Sequence, residues 1–385
     1  MTRLLEPSEA YHAFLDWQTG FAAEVPASVT PAAAAGGLRR MYSSFPRLGG
    51  RIARTADGFA FEETGTAPAV ETDAGDVRVD TALSAFTVGT ARPGVTEISG
   101  RLHHALCDVT GILSILDHLL GELGAGPGAG SIPPETARDW PIAAERVFGV
   151  PQPAGALRET RLFFGEAPAP PLKPARPATL HLEAPRVRAI DDVCAAESVS
   201  LTAVIAVAAA PFTGDGEGRR VGVPVDCRVF ADPLRAGEFP LRAIGNCSHG
   251  ALMRMPRPAR TVDAVLAAAR EYDAELMDQI EAVAPTAPFL DGRRYLPENN
   301  LPAHLVVSNA RGATRRFPRL ATAGRLLIAP QSSIPALPMI AVNESPATGA
   351  VDITLIADPA DLAPGDVRAV IDAVAHTLTQ IGERQ

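Results

Sequence analysis

Two histidines, His103 and His104, stand side by side, and Asp108 follows the second by four residues, in the run His103-His104-Ala105-Leu106-Cys107-Asp108-Val109-Thr110-Gly111. An imidazole has an unperturbed pKa near ~6.5, so its neutral form accepts a proton at cellular pH with little tuning. An alcohol or thiol held within hydrogen-bond reach of such a ring becomes a better nucleophile, and help of this kind is typically worth about 10²- to 10⁴-fold. Asp108 is close enough to brace the loop, but an aspartate in a cleft needs a counter-charge. Arg228 follows the alternating segment Val221, Val223, Val225 and is the candidate partner. A buried Asp–Arg pair is structural: removing one partner costs roughly 3–5 kcal/mol.

A lone histidine on an apolar face is more often a satisfied core residue than a catalyst, and the histidine pair with Asp108 at a strand-to-helix loop shifts that balance toward chemistry. His103, His104, Cys107 and Asp108 are all metal-ligating types, but no second cluster with ligand spacing occurs in the sequence, so no metal is expected. Cys107 reads as a small apolar filler rather than a nucleophile.

The elements that must aim His104 are visible as periodicities. From Val95 to His104 the chain alternates, placing Ile98, Gly100, Leu102 and His104 on one face of a strand and Glu97, Ser99, Arg101 and His103 on the other. The spacing therefore puts His104, not His103, with the apolar residues. Ile112, Ile115, Leu116, Leu119, Leu120 and Leu123 then repeat at helical spacing, with Asp108 or Thr110 as the cap. The unit is strand, short loop, helix, and such loops on a rigid frame carry function.

Elsewhere the first forty residues read as helical or irregular, and Phe45–Arg51 as a turn into a strand. Leu201–Ala210 and Thr261–Val283 read as helices. Strands are predicted at Val221–Val225, Leu305–Ser308, Arg325–Ala329, Met339–Val342 and Val351–Ile356, with a final amphipathic helix through Val367, Val370, Ile371, Val374 and Leu378. Gly124–Pro134 is rich in small residues, and the proline-rich stretch 151–177 reads as a linker. It divides an N-terminal lobe, 1–165, which carries the histidine motif, from a C-terminal lobe, 178–385. Each half mixes sheet and helix, an α/β (α+β) composition.

The 385 residues carry a net charge of −9, and Lys173 is the only lysine, so the cations are almost all arginines. Nucleic acid is not expected as a partner, because phosphate neutralisation needs a clustered basic face. A basic patch at Arg311, Arg315, Arg316 and Arg319 is weighed evenly as a docking site for an acidic carrier protein or a solvated loop. The four cysteines, Cys107, Cys194, Cys227 and Cys247, are far apart with no C-x-x-C, which together with the lack of a secretory segment reads as a reduced cytoplasmic protein. No apolar run reaches the ~18 residues needed to span a bilayer.

His103–Asp108 resembles the HHxxxD core of the HHxxxDG motif of chloramphenicol acetyltransferase-like acyltransferases, nonribosomal peptide synthetase condensation domains and polyketide-associated acyltransferases. Other segments are collinear with the phthiocerol dimycocerosyl transferase type. Arg3–Glu9 resembles its L-S-x-S-E opening and Phe45–Leu48 its H-P-x-L. Ser200–Val204 resembles its S-L-N-A-V helix and Pro224–Arg228 its P-V-D-L-R, and Gly245-Asn246 its following turn. The resemblance implies two similar lobes in a pseudo-dimer with a tunnel between them, His104 as base and Asp108 paired to Arg228. It further implies a thioester donor on coenzyme A or a phosphopantetheine carrier protein, an alcohol or amine acceptor, and no cofactor.

Two departures stand out. Val109 replaces the glycine after the motif aspartate, with Gly111 two residues on. A valine there narrows the passage, so Val109 and Gly111 are candidate tunnel-lining residues. In the C-terminal half, Ser308-Asn309-Ala310-Arg311-Gly312 is the best counterpart of a second family loop, with Ser308 or Asn309 as candidate oxyanion donors beside an architectural reading. The chain is also short for the group, which implies trimmed insertions or a trimmed crossover. The leading expectation is an acyltransferase of secondary metabolite or lipid biosynthesis. The alternatives are the same fold repurposed as a cyclase, dehydratase or isomerase, and a non-catalytic protein that docks a carrier domain.

Overall fold

The computed structural model describes residues 2–5, 9, 12–13, 17–25, 28–55, 58–64, 70–71, 82–124, 173–174, 176–212, 219–230, 244–245, 247–283, 304–330, 332–333, 338–357, 362 and 364–384. Most of 124–134 and of the proline-rich stretch 151–177 lies outside these, so the linker reading falls outside the described residues too.

Two hydrophobic cores organise the molecule. The first is built on a five-stranded sheet. Its central strand, β7 (Val95–His103), pairs antiparallel with β2 (Gln18–Val25) on one side and with β6 (Ser84–Arg92) on the other, and β6 pairs in parallel with β5 (Val70–Glu71). A smaller sheet joins β1 (Thr2–Leu4), β4 (Gly58–Glu62) and β3 (Arg51–Thr55). Two helices pack here, α1 (Pro31–Ser44) and α2 (Val109–Glu122). The Thr30 hydroxyl accepts from the Ala33 N–H at 3.2 Å and Pro31 stands where its missing N–H costs nothing, so α1 is well started.

The second core surrounds a six-stranded sheet in the order β11 (Ser248–Arg254), β10 (Arg220–Asp226), β12 (Leu305–Asn309), β15 (Met339–Ser345), β16 (Ala350–Ala357), β9 (Arg176–Leu182). β10, β12 and β15 run parallel to their neighbours among themselves. Helices α3 (Ala184–Ala196), α4 (Leu201–Ala209), α5 (Val262–Val283) and α7 (Pro364–Gly382) contribute to this core; a short α6 spans Arg311–Thr314. Every residue of α4 is buried, as expected for a helix apolar on all sides. Its cap, Ser200, accepts from the Ala203 N–H at 3.0 Å and is held by Asp273 of α5 through its own N–H and hydroxyl, at 2.6 and 2.7 Å.

One segment crosses between the cores. Strand β13 (Leu326–Pro330) comes late in the sequence yet pairs with β2 at the edge of the first sheet, Leu326 opposite Ala23 and Pro330 opposite Thr19. Phe317, Leu320, Leu326 and Ile328 belong to the first core. Asn343 of β15 accepts from the Ile328 N–H and donates to its carbonyl, both at 3.0 Å, which ties the crossing strand back to the second sheet.

The first forty residues are not merely helical or irregular, since β2 lies among them. Its sequence, Gln-Thr-Gly-Phe-Ala-Ala-Glu-Val, is buried on both faces over its first half, so it shows no alternation to read.

Candidate active site

The histidine run sits at the end of β7. The strand stops at His103, and His104 to Leu106 form a turn in which the His103 carbonyl accepts from the Leu106 N–H at 2.9 Å. The extended alternation read through His104 thus ends one residue early. Ile98, Gly100 and Leu102 share the buried face, but His103 is fully buried and His104 keeps part of its surface. His103 accepts the Ala105 N–H on Nδ1 at 3.1 Å, which places its proton on Nε2 and makes it a brace of the turn.

Asp108 caps α2, accepting the Gly111 N–H on Oδ1 at 2.9 Å. The same carboxylate faces Arg228 as a two-pronged pair, Nη1 to Oδ2 at 2.8 Å and Nη2 to Oδ1 at 3.1 Å, across 120 positions of sequence. Both side chains are almost wholly buried. Arg228 lies in a short turn (Cys227–Phe230) just past β10, and Nη2 also donates to the Gly245 carbonyl at 2.8 Å. That carbonyl accepts the Asp108 N–H at 3.1 Å, and the Cys247 N–H donates to Asp108 Oδ2 at 2.8 Å.

A second carboxylate balances the charges. Asp226 accepts from Arg228 Nη1 at 2.9 Å, from Arg316 Nη1 at 2.7 Å and from the Thr110 hydroxyl at 2.9 Å. Two carboxylates and two guanidiniums thus join the start of α2 to the end of β10. Burial works to raise the Asp226 pKa, and the two guanidiniums outweigh it, so the group stays below the ordinary carboxylate range. Burial likewise works against the Arg228 charge, but Asp108 and Asp226 hold it firmly protonated.

His104 is stacked with two rings that sequence reasoning missed. His12 lies 4.3 Å from it, centroid to centroid, and Trp17 lies 4.6 Å away, inclined by 13° and 15°. The His104 N–H donates to the Trp17 carbonyl at 2.7 Å. The only hint was an aromatic cluster, Tyr11 to Trp17, in a chain with 5 % aromatics. Burial pushes the His104 ring down to about 4, against a smaller upward pull from Asp108 and from the ring's hydrogen bond to its own backbone.

The remaining candidates separate. Val109 opens α2, half-buried against the first core. Gly111 is needed for close approach: a Cβ there would stand 2.5 Å from Cys107 Cβ and 3.3 Å from the Gly245 carbonyl. Gly111→Ala is therefore expected to destabilise by about 1–3 kcal/mol in thermal melts. That reverses the gain of about 1 kcal/mol that Ala normally brings within a helix, and a stabilised variant would contradict the packing argument. Ser308 is half-buried on β12 opposite Ala341. Asn309 donates through Nδ2 to Thr202 of α4 at 3.1 Å and accepts the Arg311 N–H on Oδ1 at 3.1 Å, an arrangement that braces the loop.

The arginine patch does not form. Arg311 pairs with Asp191 at 2.9 and 2.6 Å, Arg316 with Asp226, and Arg319 is buried beside Asp117, leaving Arg315 exposed. Three of the four guanidiniums are thus engaged by the protein's own carboxylates. Among the described residues no three His, Cys, Asp or Glu side chains gather as a metal site requires, and no single helix is long and apolar enough to cross a membrane. Cys107, Cys194 and Cys247 are buried free thiols, and burial raises the Cys107 thiol beyond the titrating range; the Cys227 side chain and Asn246 lie outside the described residues.

No family model matches the sequence, and no curated protein matches it. Solved structures do. Polyketide synthase associated protein 5 from Mycobacterium tuberculosis superposes with a TM-score of 0.66 at 18 % identity, covering 99 % of this chain and 98 % of that one. The first condensation domain of the calcium-dependent antibiotic synthetase gives 0.66 at 16 % identity over 100 % and 97 %. The nonribosomal peptide synthetase FmoA3 gives 0.65 at 15 % identity over 100 % of this chain and 43 % of that one.

Proposed function

We propose that this chain, which has the fold of nonribosomal peptide synthetase condensation domains and of polyketide synthase associated protein 5, is an acyltransferase with His104 as its general base. The observation that supports the reading is the Asp108–Arg228 pair, which anchors the His104 loop to the turn after β10, beside an imidazole that burial favours in its neutral form. The donor is an acyl thioester of coenzyme A or of a carrier-protein phosphopantetheine, and the acceptor an alcohol or amine, in a cytoplasmic biosynthetic pathway. No further cofactor is required.

In the reaction, a ring nitrogen of His104 takes the acceptor's proton as its oxygen or nitrogen attacks the thioester carbon. The tetrahedral intermediate collapses with cleavage of the C–S bond, and the imidazolium returns the proton to the departing thiolate. Ester or amide and free thiol are the products. Two substrates held together between the lobes react as if in one molecule, which supplies much of the acceleration. We place Val109 and Ser308 on the walls of the substrate passage.

Mass spectrometry of the protein with acyl thioesters and candidate alcohols or amines tests the proposal. Acceptor gaining one acyl group, with one thiol released, is the expected result. A product of unchanged mass, or one lighter by a water, would instead favour a cyclase, isomerase or dehydratase. Carrier binding without turnover would favour a docking protein.

The pH profile gives a second check. Since burial holds the ring near 4, His104 stays neutral across the physiological range. kcat/KM is expected to hold level down to about pH 5 and to fall as the ring protonates below that. An acid limb centred at the ordinary imidazole value of ~6.5 would show a base in open contact with water.

A further inference from the structure

Both partners of His104 stack on it, yet the His12 and Trp17 centroids are only 6.0 Å apart. Rings on opposite faces would be separated by two van der Waals gaps, about 7 Å in all. At 6.0 Å, inclined by 24° to each other, His12 and Trp17 lie side by side over the same face of the imidazole.

Trp17 contributes its face rather than its polar handle. Its indole N–H is buried and has no hydrogen-bond partner among the described residues. A buried donor without a partner is unfavourable, so the ring holds its place by packing. The backbone reinforces the register, because the Trp17 carbonyl accepts the His104 N–H and Gln18 begins the strand paired to β7 at His103.

We infer that Trp17 and His12 are positioning residues that roof one face of His104, shut water out from that side, and leave the base open only to the acceptor substrate. The inference rests on the acyltransferase reading for its consequence: a thioester beside an imidazole with free access to water hydrolyses, and a roofed base partitions the acyl group toward transfer instead. In the side reaction water replaces the acceptor, giving carboxylic acid and thiol. The titratable groups around the ring are His12 on the roof, His103 behind the turn, and Asp108 with Arg228 at the helix start. All four are retained when Trp17 is changed.

The test compares Trp17→Leu with Trp17→Phe. The His104 ring is titrated by proton NMR, its resonance identified by its loss in His104→Gln. In Trp17→Leu the titration midpoint is expected to move from near 4 toward ~6.5. The ratio of hydrolysis to transfer, read as thiol release against acylated product with octanoyl-coenzyme A as donor, is expected to rise by about fivefold or more. Trp17→Phe keeps a ring over the imidazole and is expected to hold the midpoint low. A midpoint unmoved in Trp17→Leu overturns the roof, whatever the activity. If Trp17→Leu does not fold, His12→Leu replaces it with the same expected upward movement and the same overturning result. The titration needs no turnover, so a moved midpoint without any transfer product would keep the roof and sink the acyltransferase reading instead.

Discussion

His104→Ala is expected to lower kcat/KM for acyl transfer by about 10²- to 10⁴-fold while leaving the protein folded. The effect is large because no other described group replaces the ring. His103 is fully buried with its Nδ1 engaged by the Ala105 N–H. His12 packs against His104, and its imidazole is held well below its ordinary range by desolvation and by the neighbouring His104 and His103. The fold tolerates the change because His104 lies in a turn, keeps part of its surface and belongs to neither hydrophobic core. Steady-state kinetics beside a thermal melt separate the two quantities. Retention of more than a few per cent of wild-type activity would refute the assignment of the base, and a collapsed melt would make the loss structural.

Arg228→Met should carry the largest stability cost, about 3–5 kcal/mol. The methionine fits the volume, but Asp108 is then left as a buried carboxylate with only the Gly111 and Cys247 N–H groups. Asp226 keeps Arg316 and Thr110 and suffers less. The pair is therefore expected to show strong coupling. Adding Asp108→Asn to Arg228→Met removes the stranded charge and keeps a good helix cap, so the double variant should be more stable than Arg228→Met alone. Arg228→Lys should restore little, since an ammonium cannot reproduce the fork that meets both carboxylate oxygens and the Gly245 carbonyl. Urea denaturation of the wild type, Asp108→Asn, Arg228→Met and the double variant provides the cycle, with Arg228→Lys measured beside them. A cost below about 1 kcal/mol for Arg228→Met would mean that the network is ornamental to folding.

What was legible in the sequence was local. Residue types at close spacing marked His103, His104 and Asp108. The 3.6-residue period marked α2, and the acid before it marked the cap that Asp108 makes. The short valine alternation marked β10 and put an arginine just past its end, where Arg228 meets Asp108. Each of these signals lies within about one turn or one pleat of the residues concerned.

What was not legible depends on partners far off in the chain. β2 shows no alternation over its first half because both of its faces are buried there. The exposed-looking arginines of 311–319 turned inward because Asp191, Asp226 and Asp117 wait for them on three different elements. The strand at Leu326–Pro330 was readable as a strand, but its place in the sheet of the other half was not, since a hydrophobic alternation names a buried face and not the surface that buries it. So the amino-acid order alone settled which imidazole has a chemical address and which helix starts beside it. The tertiary structure alone decided that His12 and Trp17 lie over that imidazole, because stacking and water exclusion arise only when segments without a shared local pattern are packed together.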